Sequence, residues 1–361
     1  MTTVGLVGGG QLARMIALAG VPLGLQFVFL DPSPDACAAG LGQHLCGGYD
    51  DRNKLAELAR RADVVSYEFE NVPEHSVAFL AEHVPVFPNA HSLATARDRL
   101  REKALFDELG IPTPRYAPVR SLDDLKRCAS DIGFPAVLKT CTLGYDGKGQ
   151  AVLRGPDDLD DAWARLGASS PLVFESFVDF SREVSIIGVR GKNGETAFYP
   201  LSENLHRGGI LRVSQSRAGD PITALAQDYC RRLLDHLGYV GVLAVELFQV
   251  GDTLLANEMA PRVHNSGHWT IEGAEISQFE NHLRAILGLA LGKTDAIGRV
   301  AMVNFIGGTP DPADVLAVPG AHLHLYDKEP RPGRKVGHAT LRADNGPDLE
   351  AGLERLVALA G

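Results

Sequence analysis

Residues 138–153 read LKTCTLGYDGKGQAVL, an apolar run that ends in Lys139 and is followed by a loop with three glycines between positions 144 and 149. Glycine lets backbone N–H groups approach an anion closely, and lysine supplies a counter-charge, so this stretch predicts a phosphate site. The spacing differs from that of a P-loop, in which the lysine directly follows a glycine of the loop. The stretch therefore points to a phosphate-binding architecture in which the lysine lies on a strand before the loop.

Composition narrows the classes of function. The chain has 361 residues, 45% hydrophobic and 22% charged, which is typical of a soluble protein large enough for two or three cores. A net charge of −10 and the lack of a dense Lys/Arg run argue against nucleic acid or an anionic membrane as partners. No apolar run approaches the roughly 18 residues of a membrane span, and the N-terminus lacks a leader pattern. Five cysteines without C-x-x-C spacing suggest free thiols and a cytoplasmic location.

The order of predicted elements indicates an α/β (α+β) chain in three parts. Residues 1–98 alternate short apolar strands with amphipathic helices, which predicts βαβ units and a doubly wound parallel sheet. Residues 99–297 open with a charged helix and continue with longer, hairpin-like strands. Residues 298–361 return to short strands and a closing helix, which predicts a small β-rich C-terminal domain.

A glycine turn follows the first strand. Residues 8–13 read GGGQLA, which matches G-x-G-x-x-A, and Asp31 ends the next strand. This is the pattern of a dinucleotide fingerprint, but a glycine turn at a helix N-terminus can face any phosphate. We interpret the turn as a site for a phosphate or another anion. The alternatives are NAD and a purely structural turn.

The clearest hairpin is VLAVELFQVGDTLLANEMAP, residues 242–261, with a predicted turn at Gly251-Asp252-Thr253. With Asp252 at its centre, Glu246 lies opposite Glu258. Opposed carboxylates destabilise a sheet unless a cation lies between them, and Mg²⁺ accepts one or two carboxylates and completes its shell with water and nucleotide phosphates. The pair is therefore a predicted magnesium site; the alternative is two solvated glutamates on an exposed face.

Further charged residues could contact a nucleotide. Arg99 and Lys103, on the charged helix, are either phosphate ligands or ordinary surface charges. The segment FESFVDFSREVS offers Glu175 and Glu183 for ribose hydroxyls, and its backbone could bind adenine. With Lys139, the glycine loop and the glutamate pair, these residues predict a site for ATP and Mg²⁺.

The ordered segments DRLREK, GFPAVLKT, GYDGKGQ, FESFVDFSREVS, LSENLHRGGIL, ANEMAPRVHNSGHWT and DKEPRPGRKVGH resemble the ATP-grasp superfamily, and more narrowly the N5-carboxyaminoimidazole ribonucleotide synthetase family. GGGQLARM and YEFENVP match that family's first domain. The resemblance implies a three-domain ATP-grasp architecture. It also implies that ATP, Mg²⁺ and bicarbonate are used to carboxylate 5-aminoimidazole ribonucleotide through carboxyphosphate, giving N5-carboxyaminoimidazole ribonucleotide, ADP and phosphate in purine biosynthesis. Family members are typically homodimers.

The resemblance also implies which residues form the site. ATP is expected to contact Arg99, Lys139, Gly144, Tyr145, Asp146, Gly147, Lys148, Gly149, Gln150, Glu175, Ser176, Phe177, Val178, Glu183, His206, Asn257 and Glu258, with Mg²⁺ held by Glu246 and Glu258. The ribonucleotide is expected to contact Gly10, Gln11, Leu12, Glu70, Tyr145, Asp146, Lys148, His264, Asn265, Ser266, Lys328, Arg331, Arg334 and Lys335. The expected catalytic residues are Lys139, Asp146, Lys148, Arg262 and His264.

Some roles follow from this assignment. The glycine turn would serve the substrate phosphate, and Asp31 would be an ordinary strand-end acid. His264 would form hydrogen bonds to the substrate or accept a proton, while His268 would be structural. Leu143 and Ala13 each replace a glycine of the family pattern; the first should stiffen the loop, and the second should have little effect in a helix.

Three other functions compete with this interpretation. A sister ATP-grasp ligase, such as a formate-dependent glycinamide ribonucleotide formyltransferase, is the nearest rival. An NAD-dependent oxidoreductase would leave Lys139 and the glutamate pair without a role. The same residues disfavour a nucleotide-binding protein without turnover.

Overall fold

The structure, a computed structural model, describes residues 1–142, 144, 149–169 and 171–361. These residues form three sheets with helices packed against them. Within the described ranges, no helix is long and apolar enough to cross a membrane.

The N-terminal sheet is parallel and has the strand order β3-β2-β1-β4. Its strands are β1 (Thr3–Val7), β2 (Gln26–Asp31), β3 (Gln43–Cys46) and β4 (Val64–Tyr67), and its helices are α1 (Gln11–Gly20), α2 (Arg52–Arg61), α3 (Glu74–Ala81) and α4 (Ala90–Arg97). Alternate residues of β2 belong to different cores: Phe27 and Phe29 pack on the side of α1, while Val28 and Leu30 pack with α2 and α3. A sheet covered on both faces confirms the predicted doubly wound arrangement.

The second sheet is antiparallel and small, with the order β5-β8-β6-β7. Its strands are β5 (Tyr116–Val119), β6 (Ala136–Thr140), β7 (Gln150–Leu153) and β8 (Leu172–Ser176). The preceding helix is α5 (Arg99–Glu108), and α6 (Leu122–Ile132) and α7 (Leu159–Leu166) cover one face of the sheet. Lys139 pairs with Gln150 across β6 and β7, so these strands flank the glycine loop.

The third sheet has nine strands. They are β9 (Arg182–Arg190), β10 (Thr196–Phe198), β11 (Leu201–Arg207), β12 (Ile210–Arg217), β13 (Gly241–Val250), β14 (Thr253–Ala260), β15 (Arg299–Ile306), β16 (Ala321–Leu325) and β17 (Lys335–Ala343). Its helices are α8 (Thr223–His236), α9 (Thr270–Gly273), α10 (Gln278–Leu287), α11 (Pro312–Leu316) and α12 (Gly346–Ala360).

The C-terminal strands are part of this sheet. β15 pairs with β12, and β17 and β16 follow outward. A strand at the edge of a sheet has unpaired N–H and C=O groups, and β15 satisfies those of β12. The predicted boundary at residue 298 therefore lies within a continuous sheet, and β-rich residues 298–361 extend the sheet of the preceding domain.

Candidate active site

A cavity of about 890 Å³ is lined by residues from all three parts of the chain. The predicted site residues that line it are Gln11, Leu12, Glu70, Arg99, Lys139, Gly144, Gln150, Phe177, Glu183, His206, Glu246, Asn257, Glu258, Arg262, His264, Asn265 and Lys335. Other predicted residues that the structure describes lie outside this lining: Gly10, Gly149, Glu175, Ser176, Val178, Ser266, Lys328, Arg331 and Arg334. Tyr145, Asp146, Gly147 and Lys148, as well as Leu143, are outside the described residues.

The two predicted metal ligands are directly paired. Glu246 lies opposite Glu258 in the register of β13 and β14, as expected from the sequence. The predicted turn was wrong by one residue, because Thr253 pairs with Val250 and only Gly251 and Asp252 form the turn. A β-bulge between Ala256 and Glu258 shifts the pairing by one residue, so that Glu246 still lies opposite Glu258 despite the shorter turn. The bulge inserts Asn257 as an extra residue, so that Asn257 and Glu258 both line the cavity.

Each of the two carboxylates has a hydrogen-bonding partner from elsewhere in the chain. Glu258 Oε2 accepts a hydrogen bond of 2.8 Å from Arg99, and Glu246 Oε1 lies 3.2 Å from Nε2 of His264. Burial raises the pKa of Glu246, and the adjacent Glu258 raises it further, whereas Arg99 holds the pKa of Glu258 below its usual value despite burial. Both side chains face the cavity, which excludes the alternative of two glutamates on an exposed face.

The donor set of the pair suits magnesium. Among the described residues, no group of three or more His, Cys, Asp or Glu side chains could hold a metal. Two carboxylates and a cavity open to nucleotide and water match a hard cation that takes few protein ligands. Glu246 and Glu258 are the residues that would hold Mg²⁺.

Lys139 belongs to a buried ion cluster beneath the cavity. Its Nζ lies 3.0 Å from Oε2 of Glu175 and 3.3 Å from Oδ1 of Asn257. Lys103 Nζ lies 3.4 Å from the other oxygen of Glu175, and its side chain is fully buried. Lys103 is therefore neither a surface charge nor a phosphate ligand, and both sequence interpretations of it were wrong. It holds Glu175 in place while Lys139 faces the cavity.

Glu175 and its neighbours contribute differently from what the sequence suggested. The Glu175 carboxylate is enclosed between two lysines, so it is not available to ribose hydroxyls. The amides of Ser176 and Phe177 donate to the carbonyls of Arg115 and Pro135. The Phe177 side chain, 46% exposed, lines the cavity.

Glu183, unlike Glu175, presents its carboxylate at the cavity. It lines the cavity and forms a short ion pair with Nδ1 of His206. Burial lowers the pKa of His206, but the hydrogen bond to Glu183 and the charge of Glu246 outweigh this effect, and the pKa is raised.

The helix α5 positions several charges at once. Arg99, Glu102 and Lys103 are spaced i, i+3 and i+4, which places them on one face of the helix. That face packs against β14, where Oε1 of Glu102 accepts a hydrogen bond of 2.6 Å from the amide of Met259. Glu102 was not predicted as a site residue, and it secures the strand beside the bulge.

The N-terminal glycine turn holds a protein carboxylate. Glu68, directly after β4, accepts hydrogen bonds from the amides of Gly10 (2.5 Å) and Ala13 (3.0 Å). A Cβ on Gly10 would lie 2.4 Å from Oε1 of Glu68, so the turn needs glycine in order to admit this side chain. Sequence reasoning missed Glu68; its signal was an acid at the end of the strand beside β1, where parallel strands bring their carboxyl ends together.

Asp31 also supports the turn. Its carboxylate accepts from the amide of Gly9 at 2.9 Å and from the hydroxyl of Tyr49 at 2.8 Å. It is buried and lies outside the cavity lining, so it serves the protein's own turn rather than a ligand. The acid that a dinucleotide site would use for the ribose is thus committed to the protein itself.

Two further predicted residues form an ion pair on the cavity wall. Arg262 Nε lies 2.5 Å from Oε2 of Glu70, and both side chains line the cavity. Burial alone would raise the pKa of Glu70, but the positive charge of Arg262 holds the pKa of this carboxylate below its usual value.

The two neighbouring histidines differ in their surroundings. His264 lies beside Glu246 on the cavity wall, and burial together with the positive charges of Arg262 and Lys335 lowers its pKa well below the usual value. This favours a hydrogen-bonding residue over a proton acceptor. His268 is fully buried and packs against the rings of Phe279 and His338.

The basic tail returns to the N-terminal domain. Lys328 forms a short hydrogen bond to the side-chain oxygen of Gln11, at the start of α1. Lys335 lines the cavity. Arg331 pairs at the surface with Glu329 at 2.7 Å, and Arg334 donates to the Glu329 carbonyl at 3.1 Å. The tail thus places Lys328 and Lys335 nearest to the cavity.

Comparison with known proteins gives a consistent result over the whole chain. Three protein-family models match: a ribonucleotide synthetase preATP-grasp domain at residues 1–97, an ATP-grasp domain at 104–279 and a phosphoribosylaminoimidazole carboxylase C-terminal domain at 300–352. An N5-carboxyaminoimidazole ribonucleotide synthase of Pseudomonas aeruginosa is 58% identical over 356 residues, covering 99% of each chain. One of Vibrio cholerae is 41% identical over 360 residues, covering 98% of this chain and 94% of that protein.

Solved structures agree with the sequence relatives. The N5-carboxyaminoimidazole ribonucleotide synthetase of Thermus thermophilus superposes with a TM-score of 0.95 at 53% identity, covering 99% of this chain and 98% of the other. The synthase of Aspergillus clavatus, in complex with ADP and 5-aminoimidazole ribonucleotide, has a TM-score of 0.93 at 30% identity, covering 99% and 98%.

Proposed function

The chain belongs to the N5-carboxyaminoimidazole ribonucleotide synthase family, the ATP-grasp ligases of purine biosynthesis, and from this premise we propose the reaction that its cavity performs. ATP phosphorylates bicarbonate to carboxyphosphate, and the carboxyl group is transferred to the exocyclic amine of 5-aminoimidazole ribonucleotide. The products are N5-carboxyaminoimidazole ribonucleotide, ADP and phosphate.

One observation carries this proposal: Lys139, Arg99 and the pair Glu246–Glu258 face the same cavity. Phosphoryl transfer needs positioning and charge neutralisation more than it needs covalent catalysis. Lys139 and Arg99 supply positive charge for phosphate oxygens. Mg²⁺ held by Glu246 and Glu258 would neutralise the charge that develops between the phosphates.

A second group of side chains suits the acceptor half of the reaction. Arg262 and Nε2–H of His264 are donors on the cavity wall, and we assign them to the oxygens of the reacting carboxyl group. The substrate phosphate is assigned to Gln11, Lys328 and Lys335, where the start of α1 meets the basic tail. Glu68 already occupies the Gly10 amide, so that amide does not contribute to the phosphate site.

Bicarbonate as the carboxyl donor, a homodimer and a cytoplasmic location are part of the proposal. Bicarbonate is a weak electrophile, and phosphorylation gives it a leaving group. Carboxyphosphate is short-lived in water, so one cavity that holds both the ATP residues and the acceptor residues supports direct transfer to the amine.

The test measures ADP release with Mg-ATP and bicarbonate, with and without 5-aminoimidazole ribonucleotide, together with incorporation of labelled bicarbonate. Wild type should be strongly stimulated by this nucleotide, and Glu258→Ala should lose the stimulation. Glu195→Ala, which removes an exposed carboxylate in the turn between β9 and β10, is the matched control and should behave as wild type.

The rival ligase has a distinct outcome. Stimulation by glycinamide ribonucleotide with formate, and none by 5-aminoimidazole ribonucleotide with bicarbonate, would overturn the substrate assignment while leaving the ATP site in place. ADP release that persists in Glu258→Ala would overturn the metal assignment.

A further inference from the structure

A chain of buried polar side chains runs beneath His264, and of its members only Ser266 was expected from the sequence to contact the substrate. Its members lie on three neighbouring strands of the large sheet: Ser185 on β9, Asn204 on β11 and Ser214 on β12. Ser266 completes the chain next to His264. The side chains of all three serines are fully buried, and Asn204 is 8% exposed.

The hydrogen bonds at His264 define which ring nitrogen carries the proton. Nδ1 lies 2.9 Å from the Ser266 hydroxyl and 3.3 Å from the Ser266 backbone amide. A backbone amide can only donate, so Nδ1 must accept and cannot carry a proton. The ring proton therefore lies on Nε2, which faces the cavity.

The remaining hydrogen bonds run in one direction, from Asn204 through Ser185 and Ser266 to His264. The Ser214 hydroxyl lies 2.8 Å from Oδ1 of Asn204 and 2.9 Å from the Ser266 carbonyl, and its one proton is shared between these two acceptors. With Oδ1 toward Ser214, Asn204 directs its Nδ2 to Ser185 Oγ at 3.1 Å. The Ser185 hydroxyl then donates to Ser266 Oγ at 2.7 Å. With that lone pair occupied by Ser185, the proton of Ser266 is directed to Nδ1.

Reversing the tautomer would cost a buried hydrogen bond. If Nδ1 carried the proton and donated to Ser266, the Ser266 hydroxyl would have to turn away from His264. Because Ser185 donates to the same Ser266 oxygen, the displaced Ser266 proton would have no good acceptor in this buried site. A buried donor without an acceptor costs free energy.

We propose that Ser185, oriented by Asn204, is a positioning residue that fixes His264 as an Nε2–H donor toward the cavity. In this structure the Nε2–H faces Oε1 of Glu246 at 3.2 Å. With Glu246 engaged by Mg²⁺, the same donor would be available to an anionic oxygen of the carboxyl or phosphoryl group. The tautomer follows from the contacts of Nδ1 alone, whereas the effect on rate rests on the proposed function.

The chain contains a matched control. Ser202, on β11, is also fully buried and also contacts Ser266, but its hydroxyl donates to the Ser266 carbonyl at 3.0 Å and accepts from Trp269 Nε1 at 2.8 Å. Ser202 therefore supports the backbone of Ser266 and does not act on its hydroxyl. A purely structural role of the serines predicts equal effects of Ser185→Ala and Ser202→Ala.

The first measurement uses protein with ¹⁵N-labelled histidine rings, with His264→Gln identifying the signal. Wild type at neutral pH should show a protonated Nε2 and a bare Nδ1 at His264. A protonated Nδ1 in wild type overturns the proposal without any variant, and this readout needs no substrate.

The second measurement compares the two serine variants. Ser185→Ala should give a mixture of tautomers at His264 and lower kcat about tenfold, with the KM for ATP unchanged. Ser202→Ala should keep the wild-type tautomer and a kcat within about twofold of wild type. Equal tautomers and rates in the two variants would overturn the proposal. An intact tautomer in a wild-type protein that does not respond to 5-aminoimidazole ribonucleotide would instead overturn the proposed function alone.

Discussion

Glu246 and Glu258 face each other across adjacent strands, and each is balanced by a positively charged or N–H donor group from a different part of the chain: His264 for the first and Arg99 for the second. Like charges at directly opposed positions destabilise a sheet. The arrangement is therefore costly for the protein alone and useful once a divalent cation binds.

The first prediction concerns this pair. Glu246→Gln and Glu258→Gln should each lower ADP release about 100-fold, because a bound metal supplies several kcal/mol of charge stabilisation in the transition state. Removal of Mg²⁺ with EDTA should abolish the reaction in wild type. The measurement is ADP release against Mg²⁺ concentration. Near-normal rates in both variants at saturating Mg²⁺ would contradict the metal site, and Glu195→Gln serves as the control.

The second prediction compares the buried Lys103 with an exposed lysine. Lys103→Met should destabilise the protein by about 1–3 kcal/mol, because the buried Oε1 of Glu175 loses its nearest cation while Lys139 still pairs with Oε2. Lys126→Met, which breaks an exposed pair with Asp160, should cost less than about 1 kcal/mol. Urea unfolding measures both. A Lys103→Met protein as stable as the Lys126 variant would show that the cluster does not need this charge.

The third prediction concerns Lys139, which shares Glu175 with Lys103 but faces the cavity. Lys139→Met should lower the rate of ADP release by about 100-fold or more, because a preorganised charge on the phosphates is lost. Its folded state should persist, since Lys103 still neutralises Glu175. Circular dichroism and ADP release on the same sample measure the two effects. A variant that folds and retains the wild-type rate would remove Lys139 from the catalytic set.

The fourth prediction tests the tight approach of Glu68 to the glycine turn. Gly10→Ala places a methyl group 2.4 Å from a Glu68 oxygen and should cost about 1–3 kcal/mol of stability, as overpacking does. Gly155→Ala is the matched control, because a Cβ there meets no atom within 4 Å and its φ of −166° suits any residue. Thermal unfolding should rank Gly10→Ala clearly below both wild type and the control, and equal midpoints would contradict the close contact.

The fifth prediction is a pH dependence of stability. His282 is buried between the Val242 amide, which donates to Nδ1 at 3.2 Å, and the Ser66 hydroxyl at 2.9 Å from Nε2. Burial lowers the pKa of His282 from 6.5 to about 4. Between these pH values the unfolded chain binds a proton that the folded chain does not, so stability falls as the pH falls from 6.5 to 4. The loss from this residue reaches about 3 kcal/mol.

The variant His282→Asn isolates this contribution from that of other buried histidines. It should be less stable than wild type at pH 7.5, yet lose less stability between pH 6.5 and 4. Exposed His75→Asn should keep the wild-type slope. Urea unfolding at a series of pH values gives both slopes. An unchanged slope in His282→Asn would mean that this histidine is not held neutral.

Local sequence patterns were sufficient to predict much of the fold and the pairing of Glu246 with Glu258. Short apolar strands that alternate with amphipathic helices predicted the parallel sheet, because parallel strands need a crossover connection, which is usually a helix. Glu246 and Glu258 were paired correctly because they flank a short turn in one hairpin, although the turn is one residue shorter than predicted and the bulge at Asn257 makes up the difference.

Only the tertiary structure decided the residues that depend on contacts distant in the sequence. Glu68 fills the turn at Gly10, 58 positions away, because β4 lies beside β1. Lys103 is buried because α5 packs across β14, and β15 joins β12 because that strand edge needs a partner. The protonated nitrogen of His264 depends on three strands that meet under it. Periodicity and turn residues determine which elements form, whereas the burial and pairing of charged groups depend on which elements pack together.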